Sequence, residues 1–273
     1  MSTILASPAA PGRVPPVGHL LREWRQRRRM SQLDLALEAE ISSRHLSFVE
    51  TGRAQPSRDM LLHLAEQLEV PLRDRNVLLA AAGFAPVFAE RSLSDPALTA
   101  AREAVELVLR GHEPYPALAV DRHWSLSSAN APALMLMAGV DAELVRPPIN
   151  VLRVSLHPKG LAPRIANLAE WRAHLLARLK RQIESSGDTV LSALLEELSS
   201  YPAPRQPHGA REVSAIAVPL QLKSDAGLLS FFSTITVFGT PVDITLSEIA
   251  IEAFFPADQA TGDFLRRMSE TKA

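Results

Sequence analysis

Between residues 18 and 83, apolar positions recur at helical spacing in short runs, each punctuated by a residue suited to a helix end. Ser31, Ser42 and Ser57 stand directly before three of these runs, Pro71 opens another, and Gly83 follows the last. A serine hydroxyl at a helix start takes up an otherwise unpaired amide, proline tolerates the first turn, and glycine relieves the last one. Five short helices are therefore predicted. Asp59, just inside the run that follows Ser57, adds a carboxylate where exposed amides favour it. Ahead of them, Pro8, Pro11, Pro15 and Pro16 stand among small residues, so residues 1–16 are expected to form a flexible arm.

The pattern changes after Pro86. That proline and the group Ser94, Asp95 and Pro96 interrupt the periodicity, and a helix is predicted over 97–112. Residues 115–130 alternate as two short strands about a turn at Asp121 to His123, and helices follow over 131–139, 161–185 and 188–200. A proline-rich loop from Tyr201 to Gly209 precedes three runs rich in Val, Ile, Thr and Phe, at 213–223, 227–239 and 241–255. Consecutive strands imply an antiparallel sheet, and the helices between the two groups of strands should cover one of its faces. The whole reads as α+β. An all-α five-helix domain spans 17–85, a linker 86–96, and a domain with a helix-covered antiparallel sheet 97–273.

A length of 273 residues agrees with two domains, and 47% apolar against 22% charged residues is enough hydrophobic material to fold. The absence of cysteine excludes disulfides, thiolate metal sites and thiol nucleophiles. With no secretory leader pattern and no apolar run of spanning length, the expectation is a soluble, cytoplasmic protein without membrane insertion. The net charge of -1 conceals an asymmetry: residues 1–85 hold 11 Arg and 9 acidic residues, and the remainder 18 basic and 21 acidic ones. The basic excess therefore lies with the five predicted helices, the sign that nucleic acid requires.

Within that region, Leu35, Ala36, Ile41, Leu46 and Val49 occupy positions that would face one another across a tight turn, with Ala36 small enough for close helix approach. The opposite face of the third predicted helix then presents Ser43, Arg44, Ser47 and Phe48, and a helix so furnished fits the major groove. Arg44 can pair with guanine and Phe48 can meet a thymine methyl; alternatively Phe48 is core and Arg44 merely solvated. The run Arg27, Arg28 and Arg29 suits a solvated face or phosphate contact.

Residues 18–83 resemble the Xre-type helix-turn-helix of phage repressors. The resemblance rests on Ser31-Gln32, Leu35-Ala36, Leu46-Ser47, Glu50, Gly52 and Pro56-Ser57, which stand at the spacing of that family's motif. It implies that Gln32 anchors to a phosphate, that Ser43, Arg44 and Phe48 face base edges, that Thr51 and Arg53 contact phosphates, and that Arg25 and Glu50 form a structural ion pair. The implied partner is a double-stranded DNA operator. Because one such helix reads few base pairs, a homodimer on paired half-sites is expected.

In the second domain, Leu118, Val120, Trp124, Leu126, Phe231, Ile235, Val237 and Phe254 supply apolar strand faces, a pattern that by itself describes an ordinary core. Arg122, His123, Asn130, Asn150 and His157 lie near these blocks and suit either structural roles or a ligand head group. Residues 112–130, 148–163 and 231–258 resemble the ligand-binding domain of MmyB-like transcription regulators, whose fold is similar to PAS sensors. That resemblance implies a hydrophobic cavity for a fatty-acid-like effector, with these residues as candidate contacts. No catalytic or metal-binding spacing is present: H-E-x-x-H, phosphate loops and the G-x-S-x-G elbow are all missing, so neither an enzyme nor a metal or other cofactor is expected. The reading is a sequence-specific, dimeric transcriptional regulator that senses a small apolar effector. The alternative is an antitoxin-like autoregulator that binds a protein partner without such an effector.

Overall fold

The computed structural model describes residues 15–202, 218–225, 227–239 and 241–270. The arm expected over 1–16 falls mostly outside them. The chain divides into two compact units between Ala89 and Glu90.

The first unit is all helical: α1 Val17–Arg27, α2 Gln32–Glu38, α3 Ser43–Glu50, α4 Arg58–Gln67 and α5 Leu72–Ala81. The serines marked as helix starts each perform that task. Ser31 Oγ accepts from Asp34 N at 3.1 Å while Ser31 N donates to the Asp34 carboxylate at 2.8 Å, a reciprocal cap. Ser42 and Ser57 accept from His45 N and Met60 N. Leu21, Leu35, Leu46, Leu61, Leu64 and Leu78, almost wholly buried, fill the space between the helices. Gly18 fits where α1 crosses α3, because a Cβ there would run into the carbonyl oxygens of Val49 and Glu50.

The second unit is α+β. It begins with α6 Thr99–Gly111, β1 Ala117–Val120, β2 Leu126–Ala129, α7 Ala131–Leu136, α8 Val151–Leu156, α9 Leu168–Ser186 and α10 Thr189–Ser200. It continues with β3 Leu220–Ser224, β4 Gly227–Val237, α11 Ile244–Ser247, β5 Ala250–Pro256 and α12 Gln259–Glu270. All sheet pairings are antiparallel, in the order β2-β1-β5-β4-β3. Strand β1 shows how the layers form. Its large residues Leu118 and Val120 join the core built with α8, α9 and α10, while its small residues Ala117 and Ala119 let Val105 and Leu109 of α6 approach from behind. Helices therefore cover parts of both faces, where the pattern of the chain suggested one.

Local differences have local causes. The run at 241–255 is not one strand: the Asp243 carboxylate accepts from Thr245 N and Leu246 N and starts α11 before β5 begins. The helix expected from residue 161 starts at Leu168, because Pro163 lies in a short 3-10 turn. Helices α8 and α12 were not anticipated; Asn150 caps the first through Arg153 N, and Asp258 accepts from Thr261 N at the start of the second. Of the strand expected over 213–223, residues 213–217 lie outside the described segments.

Candidate nucleic-acid interface and ligand cavities

The exposed face of α3 is held from behind by a charge pair. Arg25 on α1 donates from Nε and Nη2 to the two carboxylate oxygens of Glu50 at 2.7 and 2.9 Å, and from Nη1 to the Met30 carbonyl at 2.8 Å. Both side chains are buried, at 10% and 2% exposure, so the pair replaces water on nearly every side. Gln32 at the start of α2 completes it by donating Nε2 to Glu50 Oε2 at 2.8 Å. Burial pushes the Glu50 pKa up, but the hydrogen bonds from Arg25 and Gln32 and the charges of Arg25 and Arg22 outweigh it and leave the carboxyl below its ordinary range. One engaged hydrogen of the Gln32 amide leaves the other available to a phosphate.

Held by this frame, α3 leaves Ser43 and Arg44 exposed and Ser47 and Phe48 half-buried. The guanidinium carbons of Arg44 and Arg53 stand 5.4 and 5.9 Å from the centre of the Phe48 ring, one on each side of it in sequence. The ring is thus a platform for two cations rather than core filling. Thr51 and Arg53 are exposed in the turn after α3, where Gly52 adopts φ 73°, a left-handed conformation that suits glycine, and the Thr51 hydroxyl donates to the Ser47 carbonyl at 2.7 Å. The arginine run at the end of α1 is divided in its tasks. Arg27 lies over Trp24 at 4.9 Å, and Arg28 donates to the carbonyls of Leu68 and Glu69 at 2.8 and 2.9 Å, closing the end of α4.

In the second unit the sequence-selected residues do not form one site. Leu118 and Phe254 line an interior cavity of about 70 Å³ together with Val151, Leu152, Trp171 and Glu252, the last paired with Arg178 at 3.1 Å. Val120 and Phe231 are core, and Leu126 is half-buried against it. Ile235 and Val237 continue the Phe231 face of β4 but are 45% and 62% exposed. The polar candidates are structural in their contacts. Asn130 accepts from Ala117 N and Ala133 N and donates to the carbonyls of Leu109 and Tyr115. Asn150 caps α8 and donates to the His123 carbonyl. His123 meets Asp188 at 2.8 Å, Arg122 stands within 4 Å of Asp188 and Glu248, and His157 lies edge-on to Tyr201. Trp124 donates to Gln182 and carries the Arg178 guanidinium 4.2 Å from its ring centre.

A larger groove of about 410 Å³ went unanticipated. It is walled by Ala131, Met135 and Leu136 from α7, Leu229 from β4, and Phe264, Leu265 and Met268 from α12, with Arg164, Glu113 and Ser224 at its polar margin. The sequence signal for its α12 wall is the i, i+1, i+4 spacing of Phe264, Leu265 and Met268. Among the described residues no cluster of His, Asp and Glu could hold a metal ion, and no helix is long and apolar enough to cross a membrane.

A family model described as MmyB-like transcription regulator ligand binding domain matches residues 101–268, and a helix-turn-helix model matches residues 21–74. No curated protein matches the chain.

Proposed function

Because this chain belongs to the MmyB-like transcription regulator family and is a DNA-binding regulator with a ligand-binding domain, we propose that α3 reads operator bases and that the second unit holds a small, fatty-acid-like effector. The observation that carries the first half is the exposed Arg44 and Arg53 pair flanking Phe48 on a helix locked from behind by Arg25 and Glu50. In this reading Ser43, Arg44, Ser47 and Phe48 face base edges, and Gln32, Thr51 and Arg53 contact phosphates. Two copies act together on half-sites about one helical turn apart. The reading domain spans 17–85, a linker 86–96, and the effector domain 97–273. Support for the second half is the apolar groove of about 410 Å³, within the range of about 300 to 1,000 Å³ that small-molecule sites occupy. An effector switches DNA binding only if it binds two states of the regulator unequally.

Selection of bound duplexes from a random library, followed by a salt titration on the winner, tests this. The expected product is a palindrome of two short half-sites whose affinity falls steeply with salt. Absence of duplex binding at low salt overturns the DNA-reading assignment.

A further inference from the structure

Among the described residues that line the apolar groove, one is a cation, and it has capacity to spare. Arg164 is the last residue of the 3-10 turn after α8, and its Nη1 donates to the carbonyls of Leu136 and Ala138 at 3.1 Å each, closing the end of α7. Its Nε and Nη2 have no partner among the described residues, although a guanidinium presents five donors in a rigid fork. The carboxylate that shares the margin, Glu113, is exposed to solvent, whereas Arg164 is half-buried against the apolar wall. Apart from Arg164, Glu113 and the two serines Ser224 and Ser269, the side chains lining the groove are hydrocarbon or thioether, Leu136, Leu229, Phe264 and Met268 among them.

We infer that Arg164 is the head-group anchor of the effector site, and that the site takes a single-chain amphiphile whose anionic head meets the free edge of the guanidinium while its tail lies beneath α12. This rests on the reading of the second unit as the seat of an apolar effector. A neutral hydrocarbon would leave the free N–H groups of Arg164 facing an apolar molecule, which is unfavourable, whereas a carboxylate satisfies two of them in parallel. At the α7 end a wall of adjoining residues separates the groove from the interior cavity. Leu136 lines the groove while its neighbour Met137 lines the interior cavity, and Arg164 and Leu161 divide in the same way. Tail length is therefore limited by the groove unless that wall moves.

The test titrates straight-chain carboxylates from octanoate to hexadecanoate, and the matching 1-alkanols, into the full chain by calorimetry. Each added methylene should tighten binding about fourfold until the groove is filled. Each carboxylate should bind about tenfold or more tighter than the alkanol of equal length. Arg164→Met should bring the carboxylates down to the alkanols and leave the alkanols unchanged, a selectivity ratio that a loosened fold does not mimic. Arg164→Lys, which keeps the charge, should retain part of the preference, and Ala131→Phe, which fills the groove, should weaken both series. An undiminished carboxylate preference in Arg164→Met, or full affinity in Ala131→Phe, overturns the site while leaving the apolar effector intact. Failure of the wild-type chain to bind either series overturns the effector reading itself.

Discussion

Replacing either member of the Arg25–Glu50 pair should cost far more than replacing both. The two carboxylate oxygens of Glu50 accept three hydrogen bonds, two from Arg25 and one from Gln32, with the Glu50 side chain only 2% exposed. Glu50→Met leaves a buried guanidinium with only the Met30 carbonyl, and Arg25→Met leaves a buried carboxylate with only Gln32. Each single change should destabilise the first unit by about 3 to 5 kcal/mol, a large share of the roughly 5 to 15 kcal/mol that holds a domain together. In the double variant no charge is stranded and two flexible apolar side chains fill the space, so its cost should fall below that of either single change. Urea unfolding of the full chain, followed by the indole resonance of buried Trp24, reports on this unit. The pair also carries a pH signature. Because the folded Glu50 pKa is depressed, its stabilisation is complete above the ordinary glutamate range and is lost as pH falls through the folded value. That acid sensitivity should diminish in the double variant. Single changes costing under about 1 kcal/mol, or a double variant costing their sum, would refute the argument.

Three further outcomes follow from other contacts. Arg44→Ala should reduce discrimination at one operator position by about 1 to 3 kcal/mol, while Arg53→Ala should weaken all duplexes alike and lower the salt slope by about one; fluorescence anisotropy on operator and scrambled duplexes separates them, and unchanged binding in both rejects the reading surface. Gly18→Ala forces a Cβ onto the Val49 and Glu50 carbonyls, so α1 must move off α3 and stability should fall by about 1 to 3 kcal/mol, measured by thermal unfolding; a neutral result contradicts the close crossing. Asn130→Ala strips partners from Ala117 N and from the Tyr115 carbonyl, while the Leu109 carbonyl keeps His112 N, and should cost about 1 to 3 kcal/mol for each group left buried and unpaired. Faster amide exchange at Ala117 should accompany that loss, and unchanged protection there would contradict it.

The helices of the first unit were legible because their signals are local. Ser31, Ser42 and Ser57 each act on the amide three residues away, so composition at fixed short spacing suffices to place them. The same holds for the turn at Asp121, whose carboxylate accepts from His123 N and Ser125 N. The contacts of the polar residues in the second unit were not legible for the opposite reason, since their partners lie far along the chain. Proximity to an apolar block in the chain does not say whether Asn130 or Asn150 spends its amide on a ligand or on backbone, and both spend it on backbone. Ile235 lies on the Phe231 face of β4 as alternation implies, yet its exposure was not legible, because alternation identifies the face of a strand but not how far the covering helices extend along it.

Taken alone, the chain determined its two-part organisation, the five helices, three of them serine-capped, with their family motif, and an antiparallel sheet later in the sequence, since each depends on periodicity and neighbours in sequence. Tertiary structure alone decided that Gln32 joins the Arg25–Glu50 pair, that Arg28 closes α4, and that a groove exists between α7, β4 and α12. Those features join residues as distant as Glu113 and Met268, and a cavity is the space that packing leaves, a quantity no single segment carries.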